Sequence, residues 1–215
     1  MKVKQSIFTN QVAQKEIKIA FIGMSNVGKT RVSKSLAKSG ALSRIEVDEL
    51  IQEKLKVASI TSMASWMGFP YEEKYAAAEE AYLEMETDAT LQAMDAMKAP
   101  AALDTTGSVI YLPHRVLERL KREWLIVHIA VTHTDVDELF KNFIAHPKPV
   151  VWGGLYTQVP GEPQSKALER SYKILLSDRI SRYKALADVS IPRFELYKAK
   201  TAEDVFKAIA KRLPQ

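Results

Sequence analysis

The residues with the plainest chemistry stand in one run: Gly23-Met24-Ser25-Asn26-Val27-Gly28-Lys29-Thr30. They fit G-x-x-x-x-G-K-[ST] in full. Glycines at both ends let successive backbone N–H groups turn into one cavity, and a helix starting at the lysine adds the positive potential of its N-terminus. Such a cavity takes a nucleoside triphosphate. Lys29 would reach the β- and γ-phosphates, the Thr30 hydroxyl would ligate Mg²⁺, and Arg31 extends the nucleotide-binding set. Asp48 follows the short run Arg44-Ile45-Glu46-Val47, and Asp104 ends the apolar run Ala101-Ala102-Leu103. A carboxylate like Asp48 could orient an acceptor hydroxyl and take its proton, or simply cap a helix. Asp104 could hold Mg²⁺ through water. Thr106-Gly107-Ser108 lies just beyond it.

These groups need elements to place them. Ile17–Gly23 reads as a buried strand and Thr30–Ser39 as a helix stopped by Gly40. Ser43–Val47 is a second strand, followed by a helix from Asp48 to about Lys56. Ser59–Gly68 lacks clear periodicity and reads as loop or broken helix. Pro70 to about Met97 is rich in Ala, Glu and Met, and reads as one long helix. Residues 101–107 form a third strand, Pro113–Arg122 a helix, and 124–131 a fourth strand. Thr134–Ala145 reads as a helix capped by Thr134 or Asp135. Prolines at 147, 149, 160 and 163 and glycines at 153, 154 and 161 then mark a long loop, the kind that serves as a lid. Ser165–Ala187 is helical, 189–192 is a fifth strand, and Thr201–Leu213 closes the chain.

Strands alternating with helices predict an α/β chain, a P-loop NTPase-type three-layer fold: a five-stranded parallel sheet, helices on both faces and a lid insertion. One domain covers 1–215, with 1–16 an N-terminal extension without assigned role and about 141–165 the lid region. In such sheets ligands bind beyond the carboxyl ends of the strands, where 23–30, 46–48 and 104–108 all fall.

Composition narrows the function further. The 215 residues contain no cysteine, which excludes a disulfide framework, a thiolate metal site and a cysteine nucleophile. No apolar run is long enough to cross a bilayer and no signal-peptide core opens the chain, so a cytoplasmic protein without membrane partners is expected. The net charge of +5 is unevenly placed. Residues 141–184 hold eight cations and three acids, a net of +5, whereas 72–95 hold eight acids and Lys74, a net of −7. A local basic segment suits capture of a small anion, and no nucleic-acid partner is expected. His128 and His133, Trp66, Trp124 and Trp152, and Met85, Met94 and Met97 read as structural. Trp152 and Tyr156 could instead cover a ligand.

From about residue 17 onward the chain resembles the shikimate kinase family of P-loop small-molecule kinases. The resemblance is carried by the P-loop and its helix, by Arg44-Ile45-Glu46-Val47-Asp48-Glu49-Leu50-Ile51, by Thr106-Gly107-Ser108 in place of the family's triple glycine, and by Leu176–Asp188. It implies ATP and Mg²⁺ as cofactors and phosphoryl transfer to a hydroxyl of a small, anionic metabolite. It also implies roles: Lys29, Asp48 and Arg179 catalytic; Asp48, Thr106, Gly107, Ser108, Lys148 and Arg179 at the acceptor; Thr30, Asp48 and Asp104 at the metal; and Lys141, in place of the lid's opening Arg, at the nucleotide. There are departures. Glu46 replaces the family's first Asp, Leu83 stands at the carboxylate-binding Arg, and Lys148 replaces a lid Arg. Lysine neutralises a phosphate but cannot make the planar two-pronged carboxylate contact of arginine. A monomer or homodimer fits the family.

Two other classes remain open on the sequence. Asp104-Thr105-Thr106-Gly107 has the D-x-x-G form of a GTPase, but His133 stands where the guanine-reading motif needs Lys. The weakened acceptor motifs also suit a pseudo-kinase that binds nucleotide for regulation.

Overall fold

The computed structural model describes residues 3–132 and 135–215. Five short strands build its centre: β1 (Lys18–Ile22), β2 (Ser43–Glu46), β3 (Ala101–Asp104), β4 (Leu125–Ala130) and β5 (Val189–Pro192). They pair in the order β2-β3-β1-β4-β5, all parallel. The three central strands are almost wholly buried, as expected of a sheet covered on both faces, where both sides of each strand must be apolar. The register matters for function: Phe21, Glu46 and Asp104 lie at one level across β1, β2 and β3. Two carboxylates from distant parts of the chain thereby reach the same end of the sheet.

Helices cover the sheet: α1 (Gln5–Ala13), α2 (Lys29–Lys38), α3 (Val47–Leu55), α4 (Ile60–Met67), α5 (Tyr75–Ala96), α6 (His114–Glu123), α7 (Val136–Ala145), α8 (Gln164–Leu186), α9 (Arg193–Lys198) and α10 (Ala202–Ala210). The α/β class, the five parallel strands and the order of elements follow the sequence pattern.

The differences have local causes. Residues 59–68 form a true helix, α4. Ser59 caps it by accepting from the Ser62 N–H at 3.0 Å, and Met63, Ala64 and Met67 are buried. The polar Thr61, Ser62 and Ser65 on its outer side hide that stripe in the sequence. The long helix begins at Tyr75 instead of Pro70, after a turn. Asp48 does not cap α3: Glu46 occupies the capping position, and Asp48 lies one residue inside the helix. The closing helix is α10, held by a reciprocal Thr201–Asp204 capping box, and the short α9 before it forms where the sequence reading places no element. Asp135 occupies the capping position of α7; His133 and Thr134 lie outside the described residues. The N-terminal segment carries α1, whose Phe8 is buried against Phe206 of α10. Between α7 and α8, residues 146–163 form no helix or strand. Even so, Val150, Val151 and Trp152 are buried there.

Candidate active site

The phosphate loop joins β1 to α2. Gly28, with φ +104°, occupies the capping position of α2 and contributes no side chain to cap it. The first amides of α2 are therefore left without the side-chain partner that α4 and α10 have, as a helix receiving an anion requires. Gly23, at φ +141°, passes so close to the Ile129 carbonyl that a Cβ would come within 2.8 Å of its oxygen. No other residue fits there. Lys29 is buried, and its ammonium donates to the Gly23 and Met24 carbonyls at 2.9 and 3.0 Å. Burial lowers its pKa, opposed by the charges of Asp104 and Asp48. Ser25, Asn26, Gly28, Lys29, Thr30, Asp48, Lys148 and Tyr197 line one cavity of about 200 Å³.

The carboxylates at the strand ends differ in their ties. Asp104 is buried and accepts from Ser33 Oγ at 3.0 Å and Arg44 Nη2 at 3.1 Å. Arg44 also pairs with Glu46, and Glu46 Oε1 accepts from Thr30 Oγ1 at 3.2 Å. Asp48 is only partly exposed, and the Tyr82 hydroxyl lies 3.5 Å from its Oδ1. Burial raises its pKa to about 6, against the pull of Lys29 and with the push of Glu46. Among the described residues no three His, Cys, Asp or Glu cluster as a metal site. Mg²⁺ does not need one, since it is typically held by one or two protein oxygens together with phosphate oxygens and water. The Thr30 hydroxyl and the Asp48 carboxylate, both on the phosphate cavity, fit that role. Asp104, in contact with Ser33 and Arg44, fits an outer position.

Beyond the phosphate cavity the acceptor side is crowded. Arg179 of α8 is 2% exposed. Its Nη1 donates to the Gly107 carbonyl at 3.1 Å and its Nη2 to the Val151 carbonyl at 2.6 Å, while the Tyr111 ring lies 5.4 Å from its guanidinium. Its Nε is buried without a partner. Glu86 is fully buried and accepts from the hydroxyls of Thr106 and Ser108; burial raises its pKa to about 7. Gly107 packs against the phosphate loop, with Ser25 Oγ 3.2 Å from where a Cβ would sit.

No family model matches the chain, and no curated protein matches it in sequence. Solved structures do match in shape. A shikimate kinase from Acinetobacter baumannii, solved in complex with shikimate, superposes with a TM-score of 0.62 at 21% identity, over 93% of this chain and 94% of that one. The chain has the shikimate kinase fold. A shikimate kinase from Bacteroides thetaiotaomicron gives 0.57 at 17% identity over 91% and 97%, and one from Aquifex aeolicus 0.57 at 18% over 90% and 94%. At these identities the likeness establishes the fold.

Within the shikimate kinase fold, the positions singled out in the sequence separate into groups. Ser25, Asn26, Gly28, Lys29, Thr30 and Asp48 meet at one cavity, joined by Lys148 from the 146–163 segment. Thr106, Gly107, Ser108 and Arg179 meet at a second, packed centre. Lys141 is exposed on α7 and does not line the phosphate cavity. Arg31 points back to α9, donating to the Tyr197 carbonyl at 2.9 Å and stacking 4.7 Å from the Tyr197 ring. His128 and Trp124 are buried, as are Met94 and Met97, while Met85 and Trp66 are only partly buried. Burial holds the His128 imidazole near a pKa of about 4, neutral at physiological pH. Sequence reasoning missed Tyr197, which is 46% exposed and lines the phosphate cavity, and the network through Arg44. No motif marks either; an aromatic in the segment after the last strand is the only signal for the first. No helix among the described residues is long and apolar enough to cross a membrane.

Proposed function

We propose that the protein is an ATP-dependent phosphotransferase that moves the γ-phosphoryl group to a hydroxyl of a small molecule. One observation carries this reading: Asp48, a carboxylate able to act as base, shares a single cavity with Ser25, Asn26, Gly28, Lys29 and Thr30 of the phosphate loop and with Lys148. Phosphoryl transfer needs mainly positioning and charge neutralisation. Residues 23–30 would cradle the phosphates, and Lys29 would leave the loop carbonyls for the transferring group. Mg²⁺, when bound, neutralises charge on the β- and γ-phosphates. Asp48 would accept the proton of the attacking hydroxyl; a pKa of about 6 leaves it ionised at neutral pH and still a useful base. Lys148 would balance charge from the 141–165 segment, which we read as a lid. The shared fold with shikimate kinases supports this assignment.

A second reading, a nucleotide-binding pseudo-kinase, is favoured by one feature. Both terminal nitrogens of Arg179 already donate to backbone carbonyls.

Coupled ADP release separates the two. With MgATP and a panel of hydroxylated acceptors that includes shikimate, a kinase releases ADP only when its acceptor is present, and Lys29→Ala abolishes the release. MgATP raising the melting temperature without any acceptor-dependent turnover would favour the pseudo-kinase. Absence of nucleotide binding would refute both.

A further inference from the structure

A cavity of about 300 Å³ lies between α4, α7 and the 147–152 segment. Its apolar walls are Ala64, Phe69, Phe143, Val150 and Trp152. Lys148 lines this cavity as well as the phosphate cavity, so the two meet at one side chain. A molecule seated here can present a hydroxyl past Lys148 toward Asp48. The walls are built rather than accidental. The Phe143 ring stacks on Tyr172 at 5.2 Å and meets Trp152 edge-on at 6.4 Å. The Tyr75 hydroxyl donates to the Val150 carbonyl at 2.8 Å, and Glu79 accepts from the amides of Trp152 and Gly153. An apolar, preformed pocket with a few polar groups at its rim is the usual form of a small-molecule site.

The polar groups say what the ligand is not. Glu72, a carboxylate, lines the cavity and is tied to the Phe69 N–H at 2.8 Å. The guanidinium best suited to a carboxylate, Arg179, is turned onto Gly107 and Val151. Leu83 contributes no charge and lines a different surface, beside Tyr111 and Arg115. Lys148 is the one cation among the lining residues, and it also lines the phosphate cavity. A polyhydroxylated carboxylic acid would meet the Phe69, Phe143 and Trp152 rings, which cannot hydrogen-bond its hydroxyls, and no guanidinium for its carboxylate.

We propose that this cavity is the acceptor site and that it takes a small, uncharged alcohol with a planar apolar body. The proposal rests on the phosphotransferase reading for its chemistry. The anionic acceptor expected from the sequence drew on the basic 141–184 segment and on Lys148 and Arg179 at the acceptor; of these Arg179 donates to the Gly107 and Val151 carbonyls instead. Binding alone can test the cavity. The probes are 2-phenylethanol and shikimate, each titrated against the whole chain with and without MgADP, read by intrinsic tryptophan fluorescence, to which Trp152 in the cavity wall responds.

The expected result is saturable binding of 2-phenylethanol, at least about tenfold tighter than shikimate, weakened about tenfold or more by Ala64→Phe, which fills the cavity. Thr61→Phe, on the exposed rim, narrows the mouth without touching the core and is expected to act the same way. A retained MgATP-induced rise in melting temperature reports that each variant is folded. Tighter binding of shikimate, no saturation by 2-phenylethanol, or binding indifferent to both variants would overturn the proposal while leaving phosphotransfer intact. Loss of MgATP binding with the probe still bound would instead refute the phosphotransferase reading.

Discussion

The Thr30 hydroxyl, in the first turn of α2, donates its hydrogen to Glu46 Oε1 at the end of β2, 3.2 Å away. That commitment leaves the oxygen lone pairs of Thr30 free, the arrangement a metal ligand needs, and Glu46 is held in turn by Arg44. Glu46 is therefore a positioning residue for the metal. Glu46→Gln is expected to raise the Mg²⁺ concentration that half-saturates ATP-induced stabilisation roughly tenfold, as lost outer-shell partners do. A titration of melting temperature against Mg²⁺ at fixed ATP measures this directly. An unchanged midpoint would mean that Thr30 orients itself without help.

Tyr197 is expected to be the platform for the nucleotide base. Its ring borders the phosphate cavity, and the guanidinium groups of Arg31 and Arg193 lie 4.7 and 5.9 Å from it. Stacking a base on an aromatic ring is worth about 1–3 kcal/mol. Tyr197→Ala should weaken ATP binding accordingly and leave the affinity for inorganic tripolyphosphate alone. Calorimetric titration of both ligands separates the outcomes; equal losses would place Tyr197 in the folding of the loop and not at the base.

The sheet and the phosphate loop were legible because their signals are local: short apolar runs, a fixed glycine-lysine spacing, a helix starting at the right residue. What stayed hidden depends on register and packing. Glu46 and Asp104 are 58 positions apart, and only the pairing of β2 with β3 sets them level. Arg179 is suggested by the family resemblance, but the Val151 carbonyl that occupies it comes from a loop with no periodicity to read. Tyr197 looks like any aromatic in a short helix until α9 folds against α2. The helix α4 was obscured because half its surface is polar and only two turns long.

The helix α1 was invisible for a similar reason, since a lone aromatic in a polar segment gives no stripe. Its anchor is Phe8, 1% exposed and 6.3 Å from the Phe206 ring. Phe8→Ala is expected to cost about 3–5 kcal/mol. The ATP-induced rise in melting temperature should survive, because α1 docks on α10, away from the phosphate cavity. Denaturant unfolding of the variant and of Thr9→Ala, an exposed control on the same helix, tests this. A loss below about 1 kcal/mol would show that α1 is only loosely docked.

Asp48 should couple activity and stability in opposite senses. Burial lifts its carboxyl from an ordinary 3.8 to about 6, so the folded protein favours the protonated form. Its contribution to stability is present below about pH 4 and is lost as pH rises through about 6, leaving a penalised charge at neutral pH. Asp48→Asn removes that charge and is expected to raise the melting temperature of the ligand-free protein by a few degrees at about pH 7.5, on the order of 1 kcal/mol. The difference should vanish on acidification. Glu86, raised to about 7, feels the Asp48 charge as well, so Asp48→Asn eases its ionisation and adds to the gain at neutral pH in the same direction. Catalysis runs the other way: wild-type turnover should fall as pH drops below about 6, and Asp48→Asn should lose about 10²–10⁴-fold at neutral pH and above, as removal of a general base does, with the gap narrowing on acidification. Melting curves and initial rates across the same buffers decide it. A variant no more stable than wild type at neutral pH, or one that keeps its activity, would remove Asp48 from the role of base.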